Sequence, residues 1–146
     1  MSKVLIVFAS RTGETEAIGN LIAEGLRFSG HEVSVVPVKE IKSDKDLIGY
    51  DAYVLGSATY HGGMMEKMKT MLFIAEKAGL ENKVGGAFGA FGWSGEAPER
   101  IYDTMENIFK MDMVGDPLML KSSKLGGGMQ MAHEYGKKLA SKLTDS

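Results

Sequence analysis

The stretch Ser10-Arg11-Thr12-Gly13-Glu14-Thr15 lies between an apolar run, Lys3 to Ala9, and a segment of helical character from about Glu14 to Phe28. The apolar run is short, continuous and rich in β-branched residues, which predicts a strand buried on both faces. The first N–H groups of a helix have no partner within the helix, and the helix dipole favours an anion there. A strand, a polar turn and a helix in this order therefore indicate a phosphate site, with hydroxyl donors and a glycine that permits close approach.

The same loop has a simpler interpretation. Ser10 and Thr12 could serve only to cap the helix, as such residues often do. The loop lacks Gly-Lys-Ser/Thr and G-x-G-x-x-G, so it is neither a nucleotide P-loop nor the dinucleotide fingerprint. The loop alone leaves phosphate binding and helix capping both open.

Composition indicates one ordinary globular domain, residues 1–146, because 146 residues with 44% apolar and 25% charged side chains suffice for a full core. The net charge of −2, without a basic stripe, argues against a nucleic-acid partner. The absence of cysteine excludes disulfides, thiolate-held iron–sulfur clusters and cysteine nucleophiles, so redox chemistry would need a bound cofactor. Neither a signal peptide nor a membrane-spanning run is evident, so we expect a cytoplasmic protein with no membrane contact.

Strands and helices are predicted to alternate along the chain. After the first strand, the predicted strands are residues 31–38, 51–56, 83–91 and 113–120. After the first helix, the predicted helices are residues 64–78, 96–110 and a last one ending at 143, with a short turn of helix near 44–48. Pro37 places the second strand near a sheet edge because proline cannot donate to a ladder. This alternation predicts a three-layer α/β/α sandwich around a five-stranded parallel sheet.

The methionines of the second long helix have helical spacing. Met64, Met68 and Met71 fall in one stripe with Leu72 and Ala75. Such a stripe indicates core packing rather than metal binding, since methionine is a flexible apolar side chain.

Three loops predict a ligand site at one edge of the sheet. In open parallel sheets, ligands bind beyond the carboxyl ends of the strands, where the strand order reverses. The order 2-1-3-4-5 would bring together the ends of the first, third and fourth strands. The third strand leads to Tyr60, and the fourth leads to Trp93 between Gly92 and Ser94-Gly95. Taken singly, each aromatic is better explained by packing. Taken together with the phosphate loop, the two aromatics favour a ligand with a flat ring and a phosphate. Stacking of that ring on an aromatic side chain would contribute roughly 0.5–1.5 kcal/mol per pair.

With these loops the chain resembles a flavodoxin over essentially its whole length. Residues 10–15 are similar to the family's FMN-phosphate loop, residues 56–62 to its second flavin loop, and residues 88–95 to its third. The third loop has the form shared by some clostridial-type flavodoxins and the flavodoxin domain of flavodiiron proteins. No long insertion interrupts the fifth strand, so the chain is similar to the short-chain group with its flavodoxin-like sheet.

The resemblance implies one non-covalently bound FMN. The hydroxyls of Ser10, Thr12 and Thr15, with the N–H groups of residues 11–15, would hold the phosphate. Tyr60 and Trp93 would flank the ring, and backbone groups of the second and third loops would meet its polar edge. The implied cofactor-binding residues are Ser10, Arg11, Thr12, Gly13, Glu14, Thr15, Ala58, Thr59, Tyr60, His61, Ala90, Phe91, Gly92, Trp93, Ser94 and Gly95. The implied role is one-electron transfer between redox protein partners by a monomer, with neither a catalytic residue nor a metal.

Two features depart from the family pattern. Flavodoxins tend to be strongly acidic, whereas this chain is nearly neutral and has Arg11 in its phosphate loop, which predicts a different partner or a place in a larger complex. His61 stands where the family usually has glycine in a turn that flips towards the flavin. The flipped turn would need a positive φ at His61, which costs on the order of 1 kcal/mol. We therefore expect weaker stabilisation of the one-electron-reduced flavin, the alternative being that His61 is an exposed loop residue without such a role.

Other functions are compatible with parts of this pattern. An FMN-dependent NAD(P)H reductase of quinones or small oxidants would share the fold and the cofactor, although the sequence has no separate nicotinamide motif. A phosphorylated receiver would need acidic residues after the first strand and an Asp ending the third, where the chain has Ala9-Ser10 and Gly56-Ser57. The three histidines form no metal-ligand motif, and the G-x-S-x-G pattern of a serine hydrolase is missing.

Overall fold

A parallel sheet with helices on both faces makes up the part of the chain that the computed structural model describes, residues 2–60, 63–90, 96–121 and 127–145. The strands are β1 (Lys3–Ala9), β2 (Glu32–Pro37), β3 (Ala52–Ser57), β4 (Thr59–Tyr60), β5 (Gly63–Met64), β6 (Val84–Ala90), β7 (Asp112–Met113) and β8 (Leu118–Leu120). The helices are α1 (Glu14–Phe28), α2 (Glu66–Glu76), α3 (Glu96–Asp103) and α4 (Gly128–Asp145), with 3₁₀ turns at Val38–Glu40 and Asp44–Leu47 and a π-helical turn at Thr104–Ile108.

The main sheet has the order β2-β1-β3-β6, and β7 and β8 both pair with β6 on its far side. All of these pairings are parallel. The short strands β4 and β5 form a separate antiparallel hairpin. Without that hairpin, the order is the predicted 2-1-3-4-5, and β2 with Pro37 lies at the edge. The prediction of the sheet is confirmed.

The fifth strand is interrupted, so the prediction of one continuous strand over 113–120 is wrong. β7 pairs with the start of β6 and β8 pairs with its end. The N–H of Val114 still donates to the carbonyl of Gly85 at 2.9 Å. The chain then leaves the ladder because Gly115 adopts a positive φ of 45° and Pro117 has no N–H to donate.

Two helices also differ from the prediction. α2 begins at Glu66 rather than at residue 64, because residues 63–64 are used in the hairpin with residues 59–60. The helix predicted over 96–110 is α-helical only to Asp103 and then widens into the π-helical turn. Met64, which lies in β5, and Met68 and Met71 of α2 are all buried, which confirms their role in the core.

Alternate residues of β1 point into two separate apolar layers. Val4 and Ile6 pack with residues of α1 and α4. Leu5 and Val7 pack with residues of α2 and α3. The sheet is thus covered on both faces, as in the predicted α/β/α sandwich.

Glycines allow the helices to approach the sheet and each other. A Cβ at Gly89 of β6 would lie 2.7 Å from Pro98 of α3, and a Cβ at Gly86 would lie 2.7 Å from the hydroxyl of Tyr135 of α4. α1 and α4 meet at backbone distance, since a Cβ at Gly25 would lie 2.3 Å from the carbonyl oxygen of His133. Helices therefore pack closely on both faces of β6.

Candidate functional site

The loop after β1 forms an open, uncapped helix start. The N-cap of α1 is Gly13, which has a left-handed φ of 88° and no side chain to accept from the helix. The hydroxyl oxygen of Ser10 accepts a hydrogen bond from the N–H of Gly13 at 2.9 Å, one position before the helix begins. Ser10 therefore shapes the turn and does not cap the helix. The simpler interpretation of the loop, in which Ser10 is a helix cap, is wrong. Because its oxygen is the acceptor, the Ser10 hydroxyl can still donate its own proton to a ligand.

Thr15, in the first turn of α1, is the most informative residue of this loop. It is 1% exposed. Its Oγ1 is buried and finds no hydrogen-bond partner among the described residues. A buried hydroxyl without a partner costs about 1–3 kcal/mol, so such a group indicates a place where a ligand supplies the missing acceptor. The helix dipole at this end makes an anion the favoured ligand.

The charges around the loop are mixed. Glu14 and Glu16 lie in the first turn of α1 and complement its dipole. Arg11, which is exposed, adds a positive charge between Ser10 and Thr12. The start of α1 therefore combines the helix dipole and one cation, which favour an anion, with two carboxylates, which disfavour one.

The loop after β3 is anchored by backbone and hydroxyl groups. Ser57 is fully buried, and its Oγ donates to the carbonyl of Ala58 at 2.9 Å. The same Oγ accepts from the N–H of Met65 at 3.1 Å, which fastens the second arm of the hairpin to the end of β3. The N–H of Ala58 donates to the carbonyl of Ala9 at 3.2 Å, which joins the loops after β1 and β3. The backbone of Ala58 therefore already has partners within the protein.

The loop after β6 is described only at its two ends. Ala90 closes β6 and pairs with Leu120. On the other side, the N–H of Ala97 in α3 donates to Oγ1 of Thr59 at 3.2 Å. Since β3 lies between β1 and β6, the three predicted loops begin at adjacent strand ends. The structure thus brings together the described parts of all three loops.

Part of the predicted site lies outside the described residues. This holds for His61, for residues 91–95, which are Phe91, Gly92, Trp93, Ser94 and Gly95, and for the side chain of Tyr60. The stacking of two aromatics around a ring therefore stays a prediction.

Two structural residues of the site were missed from the sequence. Ser57 and the backbone N–H of Met65 were assigned no role, although their hydrogen bond holds the hairpin. A serine at the end of a fully buried strand is the local signal that points to such a role, because a buried hydroxyl needs partners.

Within the described part of the chain, no three His, Asp or Glu side chains are grouped as metal ligands are. Among the described helices, none is both long enough and apolar enough to cross a bilayer.

Comparison with known proteins relates this geometry to one family. Flavodoxin of Clostridium beijerinckii is 30% identical over 139 residues, which cover 92% of this chain and 97% of that protein. The solved structure of a flavodoxin from the domain Archaea superimposes with a TM-score of 0.91 at 26% identity, covering 97% of this chain and 99% of the other.

Larger proteins also contain a similar segment. The putative diflavin flavoprotein A 2 of Thermosynechococcus vestitus is 36% identical over 106 residues, which cover 68% of this chain but only 18% of that protein. An NAD(P)H dehydrogenase (quinone) of Rhodopseudomonas palustris is 31% identical over 138 residues, covering 78% of this chain and 69% of the relative. The family model for flavodoxin matches residues 6–138. The chain belongs to the flavodoxin family.

Proposed function

We propose that this chain binds one FMN and passes single electrons between redox proteins. The observation that carries the proposal is the buried, unpartnered hydroxyl of Thr15 beside the uncapped start of α1. That combination suits the phosphate of FMN, because a phosphate brings both the negative charge and the acceptor oxygens that this helix start lacks. The flavodoxin family, to which the chain belongs, binds FMN.

The residues present fit the cofactor at its phosphate end. Ser10 and Thr15 would each donate a hydroxyl proton. The N–H groups of residues 11–15 would point at the phosphate oxygens, except that of Gly13, which already donates to Ser10. Thr12 is exposed and would close the outer side of the loop. On the ring side, Tyr60 and Trp93 would exclude water from the two faces.

FMN, when bound, supplies the redox chemistry, and the protein sets its potential. The chain would do so by holding the ring in a place that is poorly solvated and near the phosphate charge. Extra negative charge on the ring is disfavoured there, both by the loss of hydration and by repulsion. The low potential that results suits a donor of electrons to other proteins.

The charge of the chain bears on its partners. A net charge of −2 gives a weak long-range field, so electrostatic steering would contribute little to association. Partners would then be recognised mainly by short-range contacts, and association rates would change little with salt. The cytoplasmic location, the monomeric state and the single-domain organisation over residues 1–146 stay predictions from the sequence.

A reductase of quinones or other small oxidants is the second candidate, supported by the similarity to an NAD(P)H dehydrogenase (quinone). Such an enzyme would need an open pocket over the ring for a nicotinamide. Its two-electron chemistry distinguishes it from a carrier.

The test is stepwise anaerobic reduction of the FMN-loaded protein, followed by visible absorption. Two separated one-electron steps support the carrier. One two-electron step, together with oxidation of NADPH in the absence of a partner reductase, would overturn it in favour of the reductase. Failure of the purified chain to bind FMN would overturn both candidates.

A further inference from the structure

One hydrogen bond joins the two loops that are proposed to hold the flavin ring from opposite sides. Oγ1 of Thr59 accepts it from the N–H of Ala97 at 3.2 Å. Thr59 directly precedes Tyr60, and Ala97 follows Trp93 by four residues. We propose that Thr59 is a positioning residue that sets the distance between these two loops and thereby the fit of the ring. This inference rests on the proposed function.

The position of Thr59 is fixed from its own side. Its backbone lies in β4, where it pairs with Met64 of β5. The hairpin is fastened to the end of β3 by the bond between Oγ of Ser57 and the N–H of Met65. The remaining freedom of the Thr59 hydroxyl is rotation about χ1, which is restricted in β-branched side chains. The acceptor is therefore presented at a defined place.

The position of Ala97 is fixed by packing. Ala97 is fully buried, and its neighbour Pro98 lies against β6, where a Cβ at Gly89 would come within 2.7 Å of it. Ala97 is the second residue of α3, and the early N–H groups of a helix have no acceptor inside the helix. Thr59 supplies that acceptor from a different loop. The bond thus links the start of α3, immediately after residues 91–95, to the residue before Tyr60.

A purely structural role for Thr59 makes a different prediction from a positioning role. If the bond only stabilised α3, its loss would lower the melting temperature of the apoprotein and leave ring affinity unchanged. If it sets the spacing of the two loops, its loss would weaken binding of the ring itself. Riboflavin, which has the ring but no phosphate, separates ring binding from phosphate binding.

The experiment compares dissociation constants for FMN and for riboflavin in four proteins. Thr59→Val keeps the shape of the side chain and removes the acceptor, so we expect both flavins to bind roughly tenfold more weakly. Thr59→Ser restores the hydroxyl and should recover most of the affinity. Thr70→Val is the matched control, because the hydroxyl of Thr70 is exposed on α2 and donates to the carbonyl of Glu66 within the same helix. The fourth protein is the wild type.

A second readout is the pair of one-electron midpoint potentials of bound FMN, which should shift in Thr59→Val and not in Thr70→Val. Wild-type affinity for riboflavin in a folded Thr59→Val protein would overturn the positioning role, whatever the change in melting temperature. Failure of the wild type to bind either flavin would instead overturn the proposed function. If Thr59→Val does not fold, Thr59→Ala removes the same acceptor with a smaller side chain and is judged by the same criteria.

Discussion

The two helical layers of this protein cover the same sheet in different ways. α1 and α4 meet backbone to backbone, since a Cβ at Gly136 would lie 2.3 Å from the carbonyl oxygen of Ile22. By contrast, a cavity of about 260 Å³ lies between α2 and the π-helical turn Thr104–Ile108 that follows α3. Phe73 and Ile108, which line this cavity, are 74% and 58% exposed.

The difference matters because each layer would carry a different part of the proposed FMN site. The phosphate loop runs into α1, in the tightly packed layer. The two ring loops lead towards α2 and into α3, in the open layer. Close packing holds α1, into which this loop runs. The two ring loops are held in addition by individual hydrogen bonds, those of Ser57 and Thr59. We therefore expect mutations in the first layer to act on stability and mutations at the loops to act on flavin binding.

The largest effect is expected where the two helices of the tight layer touch. Gly136→Ala places a methyl group against the backbone of Ile22, which cannot move without shifting α1, so we expect a loss of about 3 kcal/mol in unfolding free energy. This loss of about 3 kcal/mol is the net value, after subtraction of the gain in helix propensity from Gly to Ala, which is up to about 1 kcal/mol. Urea unfolding of the apoprotein measures it.

Gly19→Ala is the matched control for this variant, because the nearest atom to its new methyl group is a side-chain atom of Phe88 at 3.3 Å. Its effect should be much smaller. An equal loss in both variants would show that the helix contact is not the special feature of this layer.

A smaller effect is expected at the phosphate loop. Thr15→Val removes the buried hydroxyl that we assign to the phosphate, and a hydrogen bond to a charged group is worth about 1.5–3 kcal/mol. FMN should therefore bind roughly thirtyfold more weakly, whereas the apoprotein should be no less stable, since the hydroxyl has no partner among the described residues. Titration of the apoprotein with FMN, and separately its thermal unfolding, test both statements. A destabilised apoprotein with unchanged FMN affinity would mean that Thr15 serves the fold alone.

A further effect is expected at His61, in the loop proposed to face the flavin ring. His61→Gly removes a side chain from a position where a positive φ would cost on the order of 1 kcal/mol. We expect a larger maximum yield of one-electron-reduced flavin during anaerobic reduction. His61 lies outside the described residues, so the turn itself is inferred from the sequence. An unchanged yield would mean that His61 does not influence the flavin.

The smallest effect is expected in the open layer. Phe73→Ser replaces a largely exposed side chain at the rim of the cavity and should change the unfolding free energy by less than about 0.5 kcal/mol. Urea unfolding under the conditions used for Gly136→Ala gives the direct comparison. A loss comparable to that of Gly136→Ala would show that α2 is as tightly held as α4.

Local patterns in the sequence determined most of the elements and predicted the place of the site. The first strand and first helix have the predicted bounds, Lys3–Ala9 and Glu14–Phe28. They were predictable because a continuous apolar run and a helical period are properties of neighbouring residues. The sheet order followed from the alternation of elements and from the three polar loops, strengthened by the family resemblance.

Only the tertiary structure decided which distant groups meet. Gly25 and Gly136 touch across more than a hundred residues of sequence, and Thr59 reaches Ala97 across 38. Such pairings depend on how whole helices and strands pack against each other. The periodicity of the sequence does not encode them, because the residues around a glycine or a hydroxyl do not show which distant group it will contact. The sequence alone therefore located the loops, and the packing of the helices decided which of their atoms are held and which remain available for a ligand.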